Sequence, residues 1–177
     1  SGTPTDGLSI SAVTDLLRGE PGTSVAITVL REGTTKPLPF TLTRRNIQLR
    51  DVPVATFVGP KESSIGYLRL QSFAKDAASE VSVALQSLLD QAKANSPGAE
   101  LRGIVLDLRG NPGGLLNAAI EVTETIVPRG SVIVSTKGRD MGPGPIYMSN
   151  RDPILPQDIP IAVLVNGQTA SASEIVA

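Results

Sequence analysis

Residues 104–116, IVLDLRGNPGGLL, decide how this chain is read. A continuous apolar run ends near Asp107, a turn of Gly, Asn and Pro follows, and apolar residues resume at Leu115. A short apolar run of this kind marks a strand buried on both faces, as in a parallel sheet covered by helices. The same form recurs at residues 161–176, IAVLVNGQTASASEIV, where a buried strand runs into a polar turn and a helix start. Function in an open α/β sheet sits beyond the carboxyl ends of its strands. A helix start there presents free N–H groups and the positive end of the helix dipole.

Working outward, residues 65–70 (IGYLRL) alternate as a strand, and 131–135 (SVIVS) form another. Over residues 76–95, Val81, Ala84, Leu85, Leu88, Leu89 and Ala92 make one apolar stripe and predict a helix. Leu115, Leu116, Ala119, Ile120, Val122, Ile126 and Val127 predict a second helix ending at Pro128. Residues 137–157, rich in Gly, Pro and charge, predict a long loop, either a substrate-facing flap or plain surface. Strands alternating with helices predict an α/β body with a mostly parallel sheet over residues 64–177. Residues 47–63 are a Pro-containing connector with some strand character. In residues 1–46, Ser9 is placed to cap a helix with apolar residues at 10, 13, 16 and 17, and Gly19 to end it at C′. Residues 24–45 predict a hairpin. One helix and two strands cannot close a core alone.

Composition narrows the chemistry. The 177 residues carry 16 basic and 17 acidic side chains, with no basic segment to attract nucleic acid. No apolar run is long enough to span a membrane. The start, SGTPTDG, lacks the basic and apolar regions of a signal peptide. With no Cys there is no disulfide, thiolate site or cysteine nucleophile. With no His there is neither a Ser-His-Asp triad nor a His-ligated zinc. No cofactor or metal is expected.

In the first turn, Pro112 stiffens the chain, and Gly113 and Gly114 permit positive φ and close approach to the backbone. An N–H there suits an oxyanion, and a tight turn without a ligand would look the same. In the second turn, Ser171 with Glu174 has the spacing of a capping box. It can be a cap, a nucleophile, or both. Asp107, beside Arg109, reads as half of a structural ion pair.

LDLRGNPGG, followed by VLVNGQTASASEIVA, resembles the C-terminal processing peptidases (tail-specific proteases). SSIGYLRLQSF and IVSTKGR resemble the same family, and residues 7–33 resemble the last helix and final strands of the PDZ domain that precedes its protease core. The resemblance implies a crotonase/Clp-type α/β core over residues 64–177, with the C-terminal portion of a PDZ domain over residues 1–46. It implies a serine endopeptidase working with a Ser/Lys dyad. Ser171 would be the nucleophile, with Ala172 and Gly114 giving backbone N–H groups to the oxyanion and Gly113 as the alternative donor. The family's base is a lysine downstream of the serine, held by a glutamine, and both would lie beyond residue 177. The chain would then be a fragment, inactive alone. A base lysine must be desolvated to lose its proton, and Lys36, Lys61, Lys75, Lys93 and Lys137 all sit in polar or loop settings. The implied partners are proteins or peptides with apolar, unstructured C-terminal tails. The implied compartment is the bacterial envelope (periplasm) or the thylakoid lumen. Two alternatives are a crotonase-type acyl-CoA enzyme and a non-catalytic PDZ-like peptide-binding module.

Overall fold

A computed structural model describes residues 3–46, 49–60, 64–95, 100–138 and 142–177. The chain forms two compact units, Ser1–Leu49 and Arg50–Ala177. In the first, helix α1 (Ile10–Leu17) is capped by the Ser9 hydroxyl, which accepts from the Ala12 N–H at 3.2 Å. Strands β1 (Ser24–Val29) and β2 (Leu38–Thr43) pair antiparallel, with Ser24 opposite Thr43 and Val29 opposite Leu38. The helix ends with Arg18 as its C-cap, which puts Gly19 at C′ as expected. Gly19 is not at positive φ; the chain leaves the helix extended at Arg18, and the Leu17 carbonyl accepts from Arg44 Nε at 2.8 Å. A Cβ at Gly19 would stand 2.7 Å from that nitrogen, so glycine here gives the guanidinium room. Every fully buried hydrophobic residue among those described lies at Val52 or later, in keeping with a first unit too small to close its own core.

In the second unit, β3 (Val54–Val58), β4 (Ile65–Arg69), β5 (Gly103–Asp107) and β8 (Ile161–Leu164) form one sheet in the order β3-β4-β5-β8. β3, the strand hinted at in the connector, runs antiparallel to β4, while β4–β5 and β5–β8 are parallel. The fold is therefore α/β with a mostly parallel sheet. β5 is covered on both faces, as its unbroken apolar run predicts. Helix α2 (Ala77–Asn95) buries all six residues of its predicted stripe in one cluster with Leu68, Ile104 and Leu106. Each fully buried Leu there contributes about 1.5–3 kcal/mol of hydrophobic stabilisation. Asp107 lies opposite Leu164 in the register, so the chain leaves β5 and β8 at the same level. The two polar turns of the sequence thus emerge side by side, each leading into a helix: α3 (Leu116–Glu124) and α4 (Ala172–Val176).

Two expectations need correction. Helix α3 stops at Glu124 rather than Pro128, because the N–H groups of Thr125, Ile126 and Val127 turn back onto the carbonyls of Val122 and Thr123. Residues 137–157 are not one loop. β7 (Gly142–Met148) pairs antiparallel with β6 (Val132–Gly138), with register shifts on the way. Its prolines are tolerated because β7 pairs on one side only among the described residues, where a missing N–H costs no ladder bond. The residues after β7 are pinned as well: Leu155 is fully buried, Arg151 pairs with the buried Glu124 carboxylate at 2.9 Å, and the Ile154 N–H donates to the Thr125 carbonyl.

Candidate active site

The turn after β5 is held by its own side chains. Asn111, fully buried, donates from Nδ2 to the Leu70 carbonyl at 2.9 Å and accepts the Gly113 N–H on Oδ1 at 2.9 Å. Gly113 and Leu115 then bracket Phe73. The Phe73 N–H donates to the Gly113 carbonyl at 3.1 Å, and the Leu115 N–H donates to the Phe73 carbonyl at 2.8 Å. In such a parallel bridge the intervening residue turns its own N–H to the other side. That residue is Gly114, whose N–H has no acceptor among the described residues. Gly113 lies directly against the second turn: a Cβ on it, at φ +100°, would come within 2.9 Å of the Ala172 nitrogen and of Ser171 Cβ.

The second turn is tied to the first from below. Asn166 Oδ1 accepts the Gly110 N–H at 2.9 Å, Thr169 Oγ1 donates to the Leu108 carbonyl at 2.8 Å, and the Ala170 N–H donates to the Asn111 carbonyl at 3.2 Å. The two serines of the motif separate clearly. Ser173 is fully buried, its hydroxyl donating to the Asn111 carbonyl at 3.0 Å. Ser171 is exposed, with φ 56° and ψ −120°. That region of backbone space is essentially reserved for glycine, and a serine in it is strained by about 1–3 kcal/mol. A nucleophilic serine on a sharp strand-to-helix turn adopts such a strained backbone, which thrusts its hydroxyl outward. The Glu174 carboxylate accepts the Ser171 N–H at 2.6 Å, so the capping glutamate is engaged, while the N–H of Ala172 is without an acceptor among the described residues.

Comparison with known proteins gives this geometry its context. The profile of peptidase family S41 matches residues 64–177. The chain belongs to that family. The carboxyl-terminal-processing protease of Synechocystis sp. is 40% identical over 99% of this chain, which covers 38% of that protein. The carboxy-terminal-processing protease of Bartonella bacilliformis is 38% identical over 97% of the chain and 37% of the relative. The chain therefore spans a little over a third of the length of these curated relatives. Among solved structures, a photosystem II D1 C-terminal processing protease is 31% identical with TM-score 0.57, over 99% of this chain and 45% of that one. These relatives do not favour the acyl-CoA alternative.

Within the S41 chain, Asp107 is the half of an ion pair that the sequence suggested. Arg109 Nη2 reaches its Oδ2 at 2.7 Å, Arg109 Nε and N–H reach Oδ1, and the Tyr67 hydroxyl donates to Oδ2 at 2.6 Å. The Arg109 hydrogen bond, and then that of Tyr67, hold the Asp107 carboxyl well below its usual range against the opposing effect of burial. The same bond to Asp107 pushes the Tyr67 hydroxyl up. A carboxylate so held is not a base. Its stabilisation is complete above the ordinary carboxylate value of about pH 4 and is lost as pH falls through the lower folded value. Asp107→Asn is therefore expected to destabilise the fold at neutral pH by about 1–3 kcal/mol. Thermal melts of variant and parent across the acid range should converge as pH drops; a constant gap would show that packing, and not charge, holds this residue.

Among the described lysines, Lys36, Lys75, Lys93 and Lys137 are exposed, and Lys61 lies outside the described residues. None of the four is desolvated as a neutral base must be. Sequence reasoning missed Asn111 and the support behind Phe73. There the buried Asp51 accepts from the Ser72 hydroxyl and, at 3.3 Å, from the Ala74 N–H. An Asn in a Gly-Pro turn carries no signal beyond turn formation. Asp51 meets its partners only through the fold.

Proposed function

We propose that this chain carries the nucleophile and oxyanion hole of a serine endopeptidase of the C-terminal processing type. The observation that carries the reading is the glycine-only backbone of Ser171, exposed against the glycine turn through Gly113, with the N–H groups of Ala172 and Gly114 free of acceptors among the described residues. Ser171 Oγ attacks the peptide carbonyl carbon while its proton passes to a neutral lysine amine. The carbonyl oxygen becomes an oxyanion held by the two N–H groups. Collapse expels the amine with that proton, and water releases the acyl group from Ser171. Gly114 is favoured over Gly113 as donor because Asn111 already takes the Gly113 N–H. The lysine and its glutamine partner lie outside residues 1–177.

The substrates are proteins ending in an apolar, unstructured tail. Leu115 and Leu116, directly after Gly114, are 54% and 36% exposed and give the site an apolar rim, which supports this preference. The first unit is the C-terminal portion of a PDZ domain, which grips that tail. The setting is the bacterial envelope or the thylakoid lumen, as the family resemblance implies. The test is cleavage by the full-length protein of a substrate with an apolar tail against one with an acidic tail. It is run beside fluorophosphonate labelling mapped by mass spectrometry. Faster cleavage of the apolar tail and an adduct on Ser171 are expected. Absence of both cleavage and adduct would overturn the peptidase reading; equal cleavage of the two tails would overturn the tail preference.

A further inference from the structure

Asn111 binds both walls of the candidate site. Its side chain shapes the glycine turn: Oδ1 holds the Gly113 N–H inward, and Nδ2 anchors the turn to the end of β4 through the Leu70 carbonyl. Its main-chain carbonyl holds the serine turn, accepting the Ala170 N–H at 3.2 Å and the Ser173 hydroxyl at 3.0 Å. Gly114, the donor on one wall, follows Gly113 by one peptide. Ser171 and Ala172, on the other wall, lie between the two residues bound to the Asn111 carbonyl. One fully buried residue thus joins the two walls, its side-chain amide shaping the glycine turn and its main-chain carbonyl holding the serine turn.

We infer that Asn111 is a positioning residue for the oxyanion hole, acting through Gly113 on one side and through Ala170 and Ser173 on the other. The inference rests on the peptidase reading above. A buried amide that only stabilised the fold would be felt equally by every state of the bound enzyme. A residue that sets oxyanion geometry is felt where the oxyanion exists, in the transition state, so its loss falls on kcat and leaves KM nearly unchanged. Asparagine is required because the site needs one donor and one acceptor in the same plane. An ionised Asp offers two acceptors and faces the Leu70 carbonyl with a negative charge. A protonated Asp restores the donor.

The experiment is steady-state kinetics on the full-length protein, with parent, Ser171→Ala, Asn111→Asp, Asn111→Ala and Ser173→Ala, each with its melting curve. Asn111→Ala should lower kcat by about 10- to 100-fold, approaching the loss of a whole oxyanion donor, with KM within about twofold. For Asn111→Asp, kcat relative to the parent should rise as pH falls, because burial favours the protonated form that mimics the amide. Ser173→Ala removes only one hydroxyl from the same junction and should lower kcat about threefold without unfolding the protein. Should Asn111→Ala fail to fold, Asn111→Asp at the acid end of the range, where the protonated carboxyl restores the donor, decides. Unchanged kcat in the folded variants, or an Asn111→Asp ratio flat with pH, overturns the inference while cleavage by the parent and not by Ser171→Ala keeps the peptidase reading. If Ser171→Ala cleaves like the parent, the peptidase reading falls and this inference with it.

Discussion

Replacing Ser171 by Ala removes cleavage by the full-length protein, a loss of about 10⁴- to 10⁶-fold, and leaves the melting temperature almost where it was. The two halves of this result have different origins. On the proposed reading the hydroxyl is the attacking group, and Ser173, two residues on, cannot replace it because it is sealed beneath Asn111. The fold changes little because Ala inherits the same φ 56° and ψ −120°, and Glu174 still accepts the N–H of residue 171, so only the serine's half of the capping box is lost. Ser171→Gly separates the two effects. Glycine relaxes the roughly 1–3 kcal/mol stored at this backbone, offset by about 0.5–1 kcal/mol of added chain entropy in the unfolded state. An inactive enzyme that melts a few degrees higher is expected. Calorimetry on the two variants is the check. A Ser171→Gly protein less stable than the parent would mean that the turn is relaxed, and Ser171 would lose the feature that distinguishes it from a cap.

Gly114→Ala and Gly113→Ala should each abolish activity, by different routes. At Gly114 the added methyl would stand 2.8 Å from the Phe73 carbonyl carbon and 2.9 Å from its Cβ. Backbone cannot swing aside, so the Phe73 bridge must break. A destabilisation of about 3 kcal/mol follows, together with loss of the oriented Gly114 N–H. At Gly113 the methyl meets the Ala170 oxygen at 2.8 Å and the Ala172 nitrogen at 2.9 Å, and φ +100° is itself unfavourable for alanine. There the methyl lies against the very N–H proposed to receive the oxyanion, so kcat should fall by at least about 10²-fold even in molecules that remain folded. Denaturant midpoints with kcat at a permissive temperature distinguish the two cases. Full activity in folded Gly113→Ala would remove Ala172 from the oxyanion hole.

Much of this was legible in the chain. The stripe of α2 and the unbroken run of β5 follow directly from which residues must leave water, and both were found where the pattern put them. The pairing of two strand–turn–helix units could be anticipated because each turn repeats the same grammar of apolar, polar and small residues. β7 was hidden because its Gly and Pro residues argue against a strand unless it is known to be an edge. Gly19 stands at C′ where the sequence put it, but the reason was hidden: Arg44, 25 residues on in sequence, takes the space a side chain would fill. The hidden part of the site is of the same kind. Apart from the bond of Asn111 to Gly113, the residues Asn111, Asp51 and Phe73 act through partners 21 to 62 residues away, which no local pattern announces.

The bonds that join the two turns span 56 to 62 residues of sequence. Closing loops of that length costs entropy before any contact repays it, so these junctions belong to the late, non-local part of folding. A serine of ordinary reactivity exists in the nascent chain from the moment it is made. It meets the glycine turn only when β8 has docked beside β5 and the unit is complete. On the proposed reading, the serine of a chain still being synthesised or unravelled has no assembled site around it, and cannot cut from within its own molecule.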